Sequence, residues 1–382
     1  MLGIKINKKV RNILIAILVI ILVFVLFSLF PDKNFRKKYE GIDLSTSAVS
    51  SHVKSYTEYQ DEFEGAKSAS SIVNVDIFAY DSGNSYGVHD EENYYNKKVV
   101  FTDDKSYVSW NVNVEEEGLY NIEMEYIATP SRNVDMERIL YINGAVPFSG
   151  ADVLSFSRLW KDEGDVKYDN QGNQIRPVQV ESFAYQTVRY KSDLGYEIDP
   201  YKFYLKKGMN TLSLESTNEP MVISSLRLVP VKKYDTYDAY VAKYPAMNAS
   251  NSGKDIKIKI QGEDSALRSD PSLFARYDRS SAISEPYNVK TTVLNYSGGD
   301  SWKSPGQWIE WDFDVPEDGW YTITVQGRQL YQRGSVSCRS LYIDGEIPIS
   351  DVKAIEFKYN TDWKSVTVCD SEKQPYNFYL SK

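Results

Sequence analysis

The chain has 382 residues, of which 42% are hydrophobic and 25% charged, and its formal charge is -9. This length exceeds that of one typical domain and favours two or three. With only two histidines and two cysteines, the sequence excludes a histidine-rich metal centre, a four-thiolate zinc site and a disulfide-rich scaffold. Aromatic residues make up 14% of the chain, and the 30 tyrosines outnumber phenylalanine and tryptophan together.

An apolar segment near the N-terminus predicts a membrane anchor. Residues 13–30 contain no charge, and as a helix they would span about 27 Å of a hydrocarbon layer roughly 30 Å thick. Basic residues precede the segment, but neither a small-residue cleavage site nor a lipobox cysteine follows it. We therefore predict a cytoplasmic tail at 1–12, an uncleaved transmembrane signal anchor at 13–30 and an extracellular remainder. A buried core helix is the alternative.

The rest of the chain is acidic. Residues 1–40 contain eight basic and two acidic side chains, so residues 41–382 carry a formal charge of -15. This charge repels nucleic acid, and neutral ligands remain suitable partners. Residues 41–58 are rich in serine and threonine, and we expect a linker at 31–58.

Short runs that alternate apolar and polar residues dominate the chain beyond the linker. They include 108–114, 120–126 and 211–215, and each ends at a turn-forming residue. This pattern predicts an all-β protein built as a β-sandwich or barrel. The one predicted helix, at 235–244, ends before Pro245 and is interpreted as an inter-domain connector.

One module occurs twice. At a shift of 201 residues thirteen positions are identical without a gap, including Trp110 with Trp311 and Gly118 with Gly319. The match resumes at a shift of 175, where 201–205 align with 376–380, so the first copy holds about 26 extra residues within 149–200. We predict module 1 at 59–232, a connector with a short helix at 233–256 and module 2 at 257–382.

The second module lacks counterparts of the runs at 211–214 and 223–228. We therefore expect module 2 to be C-terminally incomplete, with unpaired strand edges and an apolar face open to water. We interpret the chain as the front part of a longer protein. Completion by a strand from another chain is the alternative.

Several motifs support a family resemblance. They lie at 158–160, 169–173, 260–263, 269–271, 285–287, 305–311, 315–319 and 339–345. The sequence around them resembles the galactose-binding-like jelly rolls of carbohydrate-binding-module families 6 and 35. It is most similar to the paired modules at the N-terminus of certain membrane-anchored extracellular solute-binding proteins of bacterial ABC transporters. The resemblance covers most of 60–382 and implies two tandem jelly-roll β-sandwiches, an oligo- or polysaccharide ligand and a transporter permease as partner.

Carbohydrates bind through aromatic rings that stack on sugar faces and through polar side chains that hydrogen-bond hydroxyls. We therefore select aromatic and arginine residues in predicted loops: Arg158, Trp160, Tyr185, Tyr190, Trp302, Tyr331, Arg333 and Trp363. Packing without any ligand is the alternative for these residues. By contrast Trp110, Trp311, Tyr120 and Tyr321 occupy matching strand positions and are interpreted as core or sheet-face residues.

The resemblance also implies a structural calcium ion held by a first-strand glutamate and a last-strand aspartate. Glu263 fits the first position in module 2, whereas the last strand of that module is missing; an exposed Glu263 without metal is the alternative. Cys338 and Cys369 both lie in module 2, where the sequence allows either a disulfide or two free thiols.

No catalytic motif selects a nucleophile, a phosphate loop or a pair of glycosidase carboxylates, so we predict that the chain is not an enzyme. The predicted function is a membrane-anchored extracellular carbohydrate-binding region, the N-terminal part of a sugar-specific solute-binding protein. A non-catalytic structural stalk or protein-interaction module of the cell envelope is the alternative.

Overall fold

The computed structural model describes residues 53–247 and 256–382. The predicted membrane anchor at 13–30 lies outside these residues, as does most of the predicted linker. Within the described part of the chain, no helix combines the length and the apolar character that crossing a bilayer requires.

The fold begins with a short helix whose first three residues lie in the predicted linker and whose remaining residues lie in the predicted module 1. Helix α1 (Tyr56–Glu62) starts at Ser55, whose hydroxyl accepts a hydrogen bond from the Glu58 amide while the Glu58 carboxylate accepts one from the Ser55 amide. This capping box satisfies backbone donors that the first helical turn leaves free. Tyr56 and Tyr59 are buried in the core of module 1, so residues 56–58 of the predicted linker belong to the folded module.

Module 1 is composed of β-strands. They are β1 (Val73–Val75), β2 (Tyr86–Tyr94), β3 (Lys97–Val114), β4 (Gly118–Ala128), β5 (Met136–Ile142), β6 (Leu154–Phe156), β7 (Leu159–Asp162), β8 (Lys167–Tyr168), β9 (Gln174–Ile175), β10 (Gln179–Ser182), β11 (Gln186–Arg189), β12 (Phe203–Leu205), β13 (Gly208–Asn218) and β14 (Met221–Pro230).

Ten of these strands form one sheet with the order β11-β4-β14-β3-β13-β5-β6, to which β1, β2 and β12 add by pairing with β14, β3 and β4. Trp110, on the long strand β3, is buried, and its indole Nε1 donates a hydrogen bond to the carbonyl of Ile77 at 2.9 Å. Tyr120 on β4 is also buried. The prediction of an all-β fold is confirmed, and both residues pack in the core as expected.

Module 2 contains shorter strands. They are β15 (Leu267–Arg268), β16 (Ala275–Arg276), β17 (Tyr296–Ser297), β18 (Ile309–Glu310), β19 (Gly319–Thr322), β20 (Thr324–Gly327), β21 (Val336–Arg339), β22 (Ile355–Lys358), β23 (Lys364–Thr367) and β24 (Asn377–Leu380). Trp311 and Tyr321 are half-buried here, unlike their counterparts in module 1.

The strands of the two modules pair in the same register. Tyr120 lies opposite Phe203 where β4 meets β12, and Tyr321 lies opposite Phe378 where β19 meets β24. The shift of 201 residues relates Tyr120 to Tyr321, and the shift of 175 residues relates Phe203 to Phe378. The antiparallel pairs β5–β6 and β21–β22 also correspond residue by residue.

The predicted connector helix occupies the same position in module 2 that α1 occupies in module 1. It is shorter than expected, as α2 (Tyr237–Val241), and its Tyr240 is buried against the core of module 2. In each module two helix tyrosine hydroxyls accept hydrogen bonds from backbone amides of the neighbouring strand region: Lys202 to Tyr56, Tyr204 to Tyr59, Asn377 to Tyr237 and Tyr379 to Tyr240. The helix is therefore an integral part of the fold of module 2.

Module 2 exposes apolar side chains that module 1 buries. Among residues 256–382 no strand occupies the places that β13 and β14 take in module 1. Val112 is 3% exposed, whereas Phe313, its counterpart, is 43% exposed. Met124 is fully buried, whereas Val325 is 41% exposed. The described part of module 2 thus has apolar side chains open to water at these positions.

The extra segment of module 1 forms a sheet together with module 2. Strands β10, β7, β15 and β18 pair in this order, so that two strands come from each module. The join between the modules is the pair β7–β15, where Trp160 lies opposite Arg268.

Candidate functional site

The loops before β11 and β23 place an aromatic residue at equivalent points of the two modules. Tyr185 immediately precedes β11, which pairs Gln186 with Tyr126 of β4. Trp363 immediately precedes β23, which pairs Lys364 with Gly327 of β20. Residues 126 and 327 are related by the 201-residue shift, so Tyr185 and Trp363 correspond.

Around Trp363, module 2 gathers aromatic and charged side chains. The Trp363 indole Nε1 donates a hydrogen bond to Asp278 Oδ2 at 2.6 Å, and its ring meets the Tyr296 ring edge-on with centroids 5.5 Å apart. The Arg328 guanidinium lies 4.9 Å from the Trp363 ring centroid and 2.9 Å from Asp278 Oδ2. Arg276 and Tyr331 lie close enough to Tyr296 to act electrostatically on its hydroxyl, and we call the whole group the Tyr296 cluster.

The pKa values of Asp278 and Tyr296 determine the charges in the Tyr296 cluster. Burial alone would raise the pKa of Asp278, but hydrogen bonds from Ser280 and Trp363 and the charge of Arg328 outweigh it, and the pKa is lowered. Burial raises the pKa of the Tyr296 hydroxyl, although the charge of Arg276 opposes this shift. At neutral pH the cluster thus presents a carboxylate, a neutral phenol and arginine side chains.

Local backbone conformation keeps the Tyr296 cluster compact. Gly299 has a φ of +66°, and a Cβ atom there would lie 3.3 Å from Tyr296 Cε2 and 3.4 Å from Arg276 Cδ. Glycine therefore relieves both backbone strain and crowding at this point. Tyr331 is 59% exposed, so its ring remains accessible to a ligand.

Module 1 presents a related group around Tyr185. The Lys97 ammonium lies 4.4 Å from the Tyr185 ring centroid and 2.7 Å from the Glu125 carboxylate. The Tyr185 hydroxyl donates a hydrogen bond to the Tyr94 carbonyl. Tyr95 stacks on Phe183 with centroids 6.5 Å apart and is 53% exposed. We call Tyr94, Tyr95, Lys97, Phe183 and Tyr185 the Tyr185 cluster.

Three predicted ligand residues of module 1 are packing residues instead. Arg158 is fully buried and binds the carboxylates of Glu181 and Glu219 and the Thr129 carbonyl. Trp160 is 7% exposed and Tyr190 2% exposed, because the first lies in the shared sheet and the second in the core of module 1. Their ring faces are not available to a sugar.

In module 2, Trp302 and Arg333 lie apart from the contacts that form the Tyr296 cluster. The Trp302 indole donates to the Gln307 carbonyl at 3.1 Å, and Arg339 covers its ring at 4.5 Å. Arg333 is exposed and forms no hydrogen bond or ion pair with residues 53–247 or 256–382. Cys338 and Cys369 are both free thiols, so the disulfide alternative is not realised.

Glu263 is buried, which excludes the exposed alternative. It is 8% exposed, its Oε2 has no hydrogen-bond partner, and burial raises its pKa to about 7. Within the described residues no group of three or more histidine, cysteine or acidic side chains could hold a metal ion. Because calcium needs about six to eight oxygens, the residues present do not complete the implied site.

Module 1 has no equivalent carboxylate. The Trp311 indole donates to the Gly262 carbonyl, as the Trp110 indole donates to Ile77. The residue that follows this carbonyl is Glu263 in module 2 and Phe78 in module 1. A calcium site in module 1 at this position is therefore not supported.

Sequence reasoning missed most partners of Tyr185 and Trp363. The 201-residue shift aligns Tyr95 with Tyr296, two tyrosines that could have been found by extending the repeat alignment upstream. Asp278 and Arg328 gave no signal, because only the folded chain brings them beside Trp363.

No protein-family model matches the sequence, and no curated protein matches it significantly. The solved structures that match include carbohydrate-binding modules of families 35 and 6, the families that the sequence motifs resemble. A family 35 module from Clostridium thermocellum matches 42% of this chain and 98% of its own, with 14% identity and a TM-score of 0.24.

Two further structures are similarly distant. The Podospora anserina GH26-CBM35 β-(1,4)-mannanase matches 48% of this chain and 32% of its own, at 13% identity and a TM-score of 0.25. The C-terminal family 6 module of the laminarinase LamC from Zobellia galactanivorans matches 42% of this chain and 99% of its own, at 19% identity and a TM-score of 0.22. Because these values are low, function must be argued from the residues of this chain.

Proposed function

We propose that this chain is a non-catalytic carbohydrate-binding protein whose two modules bind glycan through the Tyr296 cluster and the Tyr185 cluster. The observation that carries the proposal is the correspondence of Trp363 and Tyr185. Both lie at the same point of the duplicated sheet, both have a cation within 5 Å of the ring centroid, and both neighbour an exposed tyrosine.

The chemistry of these clusters suits sugars. An exposed tyrosine ring can stack on the apolar face of a pyranose, while arginine, lysine and carboxylate groups hydrogen-bond its hydroxyls. In module 2, Tyr331 supplies an accessible ring and Asp278 and Arg328 supply an acceptor and donors close to Trp363. In module 1, Tyr95 supplies the accessible ring and Lys97 supplies the hydrogen-bond donor.

The domain architecture, the membrane anchor and the transporter partner belong to the same proposal. The matched strand registers support two tandem jelly-roll sandwiches, and the apolar run at 13–30 supports a single-pass membrane anchor with the modules outside the cell. The sequence resemblance supports a place beside an ABC transporter permease as part of a sugar-binding protein. Calcium at Glu263 would require oxygen ligands beyond those described.

A titration of polysaccharides tests the proposal. The full chain, held in a detergent without a sugar headgroup, is titrated calorimetrically with galactomannan, arabinoxylan, laminarin and polygalacturonate. We expect binding of at least one of them, weakened by Tyr331→Ala. Tyr86→Ala is the matched control, since Tyr86 is 60% exposed and lies outside both clusters. Absence of binding to all four polymers, or equal loss in both variants, would contradict the proposal.

The open apolar face of module 2 favours a second candidate, a protein-interaction module. Val325 on β20 and Phe313, which follows β18, are both exposed. Within the described residues β20 pairs only with β23, and an unpaired strand edge accepts strands from other proteins. If no polysaccharide binds and substitution of these two residues by serine removes a partner captured from cell envelopes, this second function is the better one.

A further inference from the structure

The segment 154–185, which belongs to module 1, connects the two clusters physically. Its strand β7 pairs with β15 of module 2, and its strand β10 ends at Ser182, one residue before Phe183 of the Tyr185 cluster. Module 1 therefore contributes one continuous segment that contacts module 2 and then enters its own candidate binding site.

A fully buried arginine fixes the join. Arg268 of module 2 donates to both carboxylate oxygens of Asp162 on β7, at 2.7 and 3.1 Å, and to the side-chain oxygen of Gln179 on β10. Its Nε donates to Ser265 at 2.8 Å. A bidentate arginine–carboxylate pair with further hydrogen bonds restricts both distance and orientation. Relative motion of the two modules would break this arrangement.

Further contacts surround this join. The Gln174 amide donates to the Thr292 carbonyl at 2.9 Å, and Gln174 Oε1 accepts a hydrogen bond from the Leu294 amide at 2.6 Å. Lys353 of module 2 forms an ion pair with Asp199 of module 1. The modules are thus joined by backbone pairing, amide hydrogen bonds and ion pairs, and not by the connector alone.

The same segment limits the distance between the clusters. The Arg176 guanidinium lies 3.6 Å from the ring centroid of Phe274, and Arg276 of the Tyr296 cluster lies 4.7 Å from that ring. Tyr185 lies nine positions after Arg176, so their Cα atoms are at most about 32 Å apart. The two clusters therefore belong to one compact unit and are linked by a short stretch of chain.

We infer that the two clusters act as one bivalent site for a polymeric glycan, and that Arg268 is the positioning residue that holds them in register for a single chain. This inference rests on the proposed function and adds the substrate class. Because both clusters are fixed on one body, binding at the first brings the polymer to the second without a large ordering cost, and the apparent affinity rises about 100-fold or more over one site.

The experiment compares polymers with disaccharides that are too short to reach both clusters. Galactomannan, arabinoxylan, laminarin and polygalacturonate are each paired with their disaccharides, and full-chain affinities are measured for the wild type, Tyr185→Ala, Trp363→Ala and the double variant. We expect polymer affinity to exceed disaccharide affinity about 100-fold or more. Each single variant should reduce polymer affinity to the level of one site, and the double variant should abolish binding.

Arg268→Met provides the second test. We expect it to lower polymer affinity while disaccharide affinity stays unchanged, a split that general loss of structure does not produce. Arg268→Lys should recover part of the polymer affinity. If Arg268→Met fails to fold, the four-variant comparison decides alone. Equal affinities per site for polymer and disaccharide in the wild type would overturn bivalency and leave the proposed function intact, whereas absence of binding to either would overturn both.

Discussion

Glu263 offers a quantitative test of the account of module 2. Its carboxyl is 8% exposed, one oxygen has no hydrogen-bond partner, and its pKa is raised from 4.5 to about 7, first by burial and then by the charge of Asp264. The ionised form is therefore disfavoured in the folded state. Replacement by glutamine keeps the shape of the side chain and removes the charge.

The sign of the effect follows from linkage. Below pH 4.5 the carboxyl is protonated in both folded and unfolded chains, and ionisation costs no stability. Between pH 4.5 and about 7 the unfolded chain releases this proton first, so stability falls as the pH rises and stays low above pH 7. A raised pKa of this size corresponds to about 3 kcal/mol, or roughly 5 to 10 °C in melting temperature.

Melting curves of the wild type and Glu263→Gln at pH 5 and pH 8 measure this effect. We expect the variant to be more stable than the wild type at pH 8, with a much smaller difference at pH 5. Asp264→Asn is the comparison variant: it removes the smaller cause of the raised pKa and leaves Glu263 buried, so most of the pH-dependent loss of stability should remain. The reasoning would be refuted if the melting temperature of the wild type, relative to that of Glu263→Gln, did not decrease from pH 5 to pH 8.

The same melting experiment, repeated with calcium, tests for a metal site at Glu263. A bound cation would hold Glu263 ionised and would abolish the fall in stability at pH 8. With the described residues alone, which supply too few oxygens, we expect millimolar calcium to leave the melting temperature unchanged. A calcium-dependent rise that Glu263→Gln removes would show that further ligands complete the site.

Four other substitutions test separate parts of the structure. Arg158→Met leaves the buried Glu181 carboxylate without its cation and leaves Glu219 paired with Arg132 alone. We expect denaturant unfolding to show a loss of about 3 to 5 kcal/mol; a loss below about 1 kcal/mol would contradict a buried network. Val112→Ser should lower the free energy of unfolding of module 1 by at least about 2 kcal/mol, whereas Phe313→Ser should change that of module 2 by less than about 0.5 kcal/mol. Equal losses would show that module 2 buries Phe313. Trp363→Ala should weaken polysaccharide binding about 100-fold, or ~2.8 kcal/mol, and an unchanged affinity would remove Trp363 from the site.

The sequence predicted the elements that depend on local pattern and repetition. Alternation in β3 and β4 indicated the strands, and the conserved spacing of the two copies identified Trp110 and Tyr120 as core residues. The helix at α2 was also found, but its role was misread, because nothing local shows that Tyr240 packs against β24.

What the sequence did not predict depends on contacts between distant residues. A tryptophan and an arginine in a long polar insertion are typical of an exposed binding loop, yet Trp160 and Arg158 are buried. The reason is that strand β15 and Glu219 cover them from more than 60 residues away along the chain. The pairing of Arg268 with Asp162 left no pattern in either neighbourhood.

Hydrogen exchange of backbone amides, with and without saturating polysaccharide, tests the central claim most directly. This measurement reports on the backbone amides of both clusters in the unmodified full chain. We predict slower exchange at 94–98 and 183–189 in module 1 and at 276–280, 296–300, 328–333 and 363–365 in module 2, in the same titration. Protection confined to other surfaces, or no protection despite binding, would contradict a site formed by the Tyr185 and Tyr296 clusters.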